Sequence, residues 1–407
     1  LEGLAFEGES YGQVRLVHDV TAGAAIQGTA ELEASGSPVG PVSADTAFTL
    51  RDEVLTLSRL AAEALGATVD GAVTYDLGTG LAKGTVQLDA PDLSPLSRLA
   101  GAPAGGSVAG KVELLPVEGR QDARLDLTAS GIDAFDARLA RLDLVGRLSD
   151  ALGAPALDAT IEASGAGYLD ARVARISGQV EAEDLAATPD LTLDLEVAGA
   201  EGFGAQVEAA TLEAALAGVT TLDGAEATLT ARGLAYRDIS LGTVEARATG
   251  RELLSGTPEA DATVTARELR GPAATSRLEL RAGLAPAGAG VRATAGLTAA
   301  PVTAGGARIE GLALDAAAAD ALGPDRRLDA TLSTRTVSTE GAMLEALTAR
   351  AEGALSALGL RVETTGEANG EPVSLAATAT LDARAEAPVL RVSRLDAGYA
   401  EEEASLN

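Results

Sequence analysis

The sequence predicts an all-β protein built on an elongated, mainly antiparallel, curved sheet, and three observations lead there. Apolar and polar residues alternate with period two in one stretch after another, most cleanly in 191–197, where Leu191, Leu193, Leu195 and Val197 are separated by Thr192, Asp194 and Glu196. Side chains on a strand alternate faces, so such runs have one dry and one wet side. Glycine, often with Pro or Asp, interrupts the runs at short intervals and supplies turn signals for a meander. The composition is 46% hydrophobic but only 2% aromatic, with no Trp and no Cys. Thick cores draw on aromatic bulk, so this inventory suits a thin sheet better than ordinary globules.

Taken in order, alternation is legible at Val14-Arg15-Leu16, Phe48-Thr49-Leu50, 54–60 and 69–77, then at 86–89, 112–114 and 123–128. It returns at 260–267, 291–298 and 375–384, with Ala at several inward places. Turns are expected at 78–80, 101–110, 165–167, 223–224, 288–290 and 305–306, where glycines cluster. The Ala- and Glu-rich stretches 60–65, 211–216 and 342–358 have helical propensity. Their glycines and flanking strand runs place them in strands. One very short helix is expected after Asp92, with Ser94 as N-cap, Pro95 in the first helical position and Gly101 as the stop. Fewer than two turns cannot hold alone in water, so Leu96 and Leu99 are expected to dock on neighbouring strands, closing or dividing whatever lies between them.

No linker interrupts the chain, so 1–407 reads as one continuous repetitive segment, its weakest seam at 254–259 beside Gly256 and Pro258. Exact repeats are absent, but 54–60 resembles 389–395, and such degenerate repetition suits a quasi-one-dimensional assembly. The chain opens without an initiator Met and stops in mid-phrase after 401–407, as an internal piece of a longer protein would.

A formal charge of −29 disfavours nucleic acid, which needs Lys and Arg to displace counterions, and disfavours an anionic membrane surface. His18 is the only histidine, which excludes metal clusters of the usual kind and Ser-His-Asp or Cys-His catalysis. Carboxylate pairs such as Glu181 and Asp184 are as frequent as chance makes them in so acidic a chain. The 101–110 stretch lacks the Gly-Lys-Ser/Thr ending of a phosphate loop, and calcium-binding glycine-aspartate repeats are missing. No cofactor and no enzymatic activity are expected.

A sheet with one apolar face must cover it with a second layer, with itself or with a ligand. Either two walls meet as a dry sandwich, or the sheet curls into a trough able to solvate acyl chains at ~0.8 kcal/mol per buried methylene. Candidates for that interior are Leu55, Leu57, Leu125, Leu127, Leu191, Leu193, Leu195, Val197, Val264, Val291, Leu297, Leu375 and Leu381.

Asp92-Leu93-Ser94-Pro95-Leu96 ahead of a glycine-rich stretch and Gly110-Lys111-Val112-Glu113-Leu114 resembles the TamB family, the inner-membrane subunits of the bacterial translocation and assembly module, and the wider AsmA-like family. The stretches 54–80 and 344–381 have the same character. The likeness covers most of the chain and rests on patterns of residue type; the departure is the scarcity of bulky residues. What the resemblance implies is a long U-shaped β groove with an apolar interior in the periplasm. It further implies an inner-membrane anchor N-terminal to this segment and a C-terminal part meeting an outer-membrane assembly barrel. The associated roles are phospholipid movement between the two membranes and outer-membrane protein assembly, with phospholipid acyl chains as partners. A structural or adhesive β-solenoid of passenger type is the other reading; the near absence of Asn, a residue favoured in stacked ladders, speaks against it. An outer-membrane barrel would want aromatic girdles that this chain lacks.

Overall fold

A computed structural model of the chain describes residues 2–6, 9–35, 41–99, 104–288, 290–323, 326–382, 389–400 and 402–406. Among them are 29 strands and one helix, so the all-β, antiparallel expectation holds. The chain divides into two compact units, Leu1–Phe203 and Gly204–Asn407.

The first unit contains β1 (Glu2–Phe6), β2 (Glu9–Ala22), β3 (Ile26–Ser35), β4 (Val42–Arg51), β5 (Val54–Ala64), β6 (Ala67–Asp76), β7 (Leu81–Ala90), α1 (Ser94–Leu99), β8 (Ala104–Val117), β9 (Arg120–Ala134), β10 (Ala137–Ser149), β11 (Ala156–Tyr168), β12 (Ala171–Glu183) and β13 (Asp190–Gly202). Each strand pairs antiparallel with the next in the chain, an up-and-down meander throughout. Residues 60–64 complete β5 as strand, and Leu65 lies in the turn that follows.

The second unit contains β14 (Ala205–Ala217), β15 (Gly224–Tyr236), β16 (Ile239–Arg251), β17 (Glu259–Leu269), β18 (Ala273–Ala287), β19 (Gly290–Ala299), β20 (Val302–Ala304), β21 (Ala307–Glu310), β22 (Ala313–Ala319), β23 (Arg327–Ser333), β24 (Thr336–Thr339), β25 (Ala342–Ala354), β26 (Ala357–Ala368), β27 (Glu371–Asp382), β28 (Val389–Tyr399) and β29 (Glu402–Leu406). Here β19 and β20 are two halves of one interrupted strand beside β18, as β21 with β22 and β23 with β24 are in the neighbouring positions. β25 then pairs with both β23 and β24. The stretch 211–216 lies in β14, and 342–358 runs through β25, the turn 355–356 and the start of β26. Residues 254–259 carry the chain from β16 into β17, which pair from Arg251 and Glu259 onward.

A 34-residue period runs through the middle of the chain. It consists, for example, of β11 and β12 at 13 residues each, the tip 169–170, and residues 184–189. Gly131, Gly165 and Gly199 in the first unit have φ of 59°, 63° and 63°, each 34 residues from the last; Gly233 in the second unit continues the spacing with 62°. These glycines sit inside strands. Opposite them the ladder skips a pair, so Leu139 and Arg141 pair with Ala166 and Ser164 while Ala140 and Gly165 do not. The left-handed residue swivels the strand and shifts its alternation. In β13, Val197 is half-buried, Ala198 and Gly199 are exposed, and Ala200 is half-buried again. The expected turn at 165–167 is therefore a crease within β11, because an αL glycine can bend a strand as readily as it closes a hairpin.

Two further expectations need correction. Residues 104–110 are the start of β8, not a turn. Gly110 is glycine because β9 comes too close: a Cβ there would sit 2.8 Å from the Leu127 Cδ2. The helix starts one residue earlier than expected, since Ser97 N–H donates to the Leu93 carbonyl at 2.9 Å and Leu93 is the capping position. The Asp92 carboxylate accepts the Ser94 amide at 2.9 Å, and α1 lies against β8. The side chains of Leu96 and Leu99 fall outside the described residues.

Candidate functional site

Antiparallel register decides which side chains become neighbours across strands. In the first unit, Leu191 of β13 lies opposite Ala182, and the row continues through Leu157, Leu148, Ala123, Leu114, Gly84 and Val73 to Leu57. Leu193 heads a second row through Val180, Ala159, Gly146 and Leu125 to Val112. Leu195 heads a third, through Gly178, Ile161, Leu144 and Leu127 to Gly110. Val197 heads a fourth, through Ile176, Ala163, Leu142 and Ala129 to Val108. Leu55, between Leu50 and Tyr75, extends the same face beyond Leu57. No polar side chain enters these rows. The eight candidates of the first unit thus share one dry face.

The second unit repeats the arrangement with different residues. One row passes through Leu212, Leu229, Ala246, Val264, Leu280, Leu297, Leu314 and Leu332. The next is almost pure alanine: Ala214, Ala227, Ala248, Ala262, Ala282, Ala295, Ala316, Ala330 and Ala351. Beyond it lies a mixed row with Leu216, Leu284, Leu328, Leu358 and Leu381. The alanine row is thus a valley between taller ridges. A concavity of about 340 Å³ opens over it, lined by Ala227, Ala248, Ala262 and Ala282 with Leu253 and Leu284. Val264 and Leu297 stand on one ridge and Leu381 on the other. Val291, buried at 2% exposure, lies two positions along β19 from Ala293, a member of the mixed row. Leu375 lies opposite Thr364 and Ala397, on the far side of the Leu297 ridge.

Among the described residues no second layer covers these rows within either unit. Only eleven hydrophobic residues are buried among those described, and eight of them are alanine. Leu229, Leu280, Leu375 and Leu395 on the apolar side are each 37% exposed, where a sandwich core would hold them below a tenth. Among the described residues, each unit presents an apolar face with no second layer over it.

Opposite lies the charged face. Glu279 is held below the usual carboxylate range by Arg281 first and then Arg277, at 2.5 and 3.2 Å. Asp143 is lowered by hydrogen bonds from Arg141 and from the Thr128 hydroxyl. Such exposed pairs contribute little each but keep that face wet. At one strand end, Asp122 has no solvent exposure; Arg147 and the Asp150 amide, at 3.0 Å, hydrogen-bond to its carboxylate and lower its pKa. Gln121 beside it accepts the Ala82 amide through its side chain and the Ala151 amide through its carbonyl, both at 2.7 Å, which ties the 150–155 loop to the sheet. His18 is exposed in β2. Among the described residues no group of His, Asp and Glu could hold a metal ion, and no helix is long and apolar enough to cross a membrane.

The cross-strand rows escaped sequence reading, although a shift of 34 residues applied to the sequence superimposes Gly131 on Gly165 and Phe135 on Leu169. No family model, curated protein or solved structure matches this chain.

Proposed function

We propose that this chain is a segment of a bridge-like β-groove protein of the bacterial envelope, whose bare apolar face takes phospholipid acyl chains. On this reading it supports phospholipid transport between inner and outer membranes, outer-membrane protein assembly, or both. The full-length protein is then periplasmic, anchored in the inner membrane through a segment N-terminal to this one and meeting an assembly barrel through a C-terminal one, as in the TamB and AsmA-like proteins it resembles. The observation that carries the proposal is the set of uninterrupted apolar rows with no protein layer over them. A face of this kind is unstable in water unless something apolar occupies it. The solenoid reading is less favoured, because every described pairing is antiparallel, whereas the rungs of a β-helix stack in parallel.

Strand alternation supplies the test and its control. Leu193→Asp places a carboxylate in the dry rows, while Thr192→Asp, one residue away, adds the same charge to the wet face. Acyl lipid co-purifying with the chain is measured by mass spectrometry for the parent and both variants, alongside thermal stability. Loss of lipid with a retained fold in Leu193→Asp, and an unchanged Thr192→Asp, is the expected result. A parent that carries no lipid, or a Leu193→Asp that carries as much as the parent, removes the proposal.

A further inference from the structure

Three turn positions at one end of the strands of the first unit break two rules at once. Ala134 pairs with Ala137 across Phe135 and Asp136, and Tyr168 pairs with Ala171 across Leu169 and Asp170, so each tip is two residues long. Phe203 occupies the turn position directly after β13, at the same end of the strands. Phe135, Leu169 and Phe203 have φ of 51°, 51° and 52°, and they are 73%, 65% and 69% exposed. Turn positions with positive φ favour Asn, Asp or Gly, and a bulky side chain there is a stereochemical outlier. Exposure leaves its apolar surface in water as well. The chain has only four Phe, and two of them occupy these tips. Neither choice helps folding.

We infer that this row of tips is a docking edge for the interface of a net-neutral phospholipid bilayer. Size argues against a protein partner. The tips alternate with polar residues and stand two strand spacings apart, roughly 10 Å, so they form no continuous dry patch. Their exposed parts fall well short of the ~800 Å² that each partner buries in a stable protein interface. A bilayer interface needs no such patch, because it receives each side chain separately, and Tyr168, 56% exposed beside Leu169, is a residue type enriched at that depth. Charge selects the lipid. Arg138 is paired with Asp133 at 3.3 Å and Arg172 with Glu201 at 3.9 Å. Asp136 and Asp170 have no cationic partner among the described residues. The edge is therefore net negative, repels anionic headgroups and suits the ammonium of a zwitterionic one.

This inference stands apart from the groove reading, since it concerns strand ends and not the dry face. The test is co-flotation of the whole chain with vesicles of phosphatidylethanolamine and phosphatidylcholine, and with vesicles in which phosphatidylglycerol replaces part of the phosphatidylethanolamine. The triple variant F135N/L169N/F203N puts the preferred residue type into each turn, so its fold should be kept, as thermal unfolding verifies. The parent is expected to float with the net-neutral vesicles and less with the anionic ones. The triple variant should lose about tenfold or more in bound fraction, three buried apolar side chains being removed. Leu193→Asp should float as the parent does, whatever happens to its groove lipid. A parent that stays at the bottom of the gradient, a triple variant that floats like the parent, or a preference for the anionic vesicles each overturns the inference.

Discussion

The Arg147 guanidinium donates to the Asp122 carboxylate through Nε, at 3.1 Å, and through Nη2, and that carboxylate is wholly shielded from solvent. The pair joins β9 to β10, and the Asp150 amide adds the loop that follows. Because the carboxyl is held below its ordinary value of 3.8, its stabilising contribution is complete above the unfolded-state pKa and is lost as pH falls through the lower folded one. Asp122→Asn should lower the melting temperature at neutral pH. The gap between parent and variant should narrow as pH is taken below about 4; a gap independent of pH would mean that the charge contributes nothing.

Thr334 has 8% exposure, and its buried Oγ1 finds no hydrogen-bond partner among the described residues. Leaving such a hydroxyl dry and unpaired costs about 1–3 kcal/mol. Thr334→Val keeps the shape and removes the orphan, so it should raise the urea midpoint. A lower midpoint would show that the hydroxyl is satisfied in solution.

The creases separate backbone strain from steric contact. A Cβ added to Gly131 meets nothing within 4 Å, whereas one added to Gly165 comes within 2.7 Å of the Ala140 Cβ. Both hold φ near 60°. Gly131→Ala should therefore cost about 1–2 kcal/mol for the left-handed backbone alone. Gly165→Ala should cost distinctly more. Equal losses in denaturant unfolding would mean that the strands relax apart freely at the crease.

Filling the alanine valley distinguishes a bare face from a packed one without reference to any lipid. Ala262→Leu adds bulk between Ala248 and Ala282. In a closed core, such overpacking costs about 1–3 kcal/mol. On a face with no second layer over it, it should leave stability near the parent's while filling part of the 340 Å³ concavity.

Local alternation by itself determined the strand content and which side chains of one strand share a face. Leu191 to Val197 could be sorted into dry and wet residues without any partner, because a pleated strand has period two whatever lies beside it. The same local rules failed at Gly165 and Gly106, since a glycine with positive φ closes a turn or creases a strand according to what the next strand does. Only the tertiary structure decided the rows. Ala262 and Ala295 are 33 positions apart, yet they belong to one valley because Ala282 pairs with both, and register depends on loop lengths and on the skipped pairs at each crease. It also decided that no second layer covers those rows: a residue's period tells which way it points, and only the placement of every other strand tells whether anything is there.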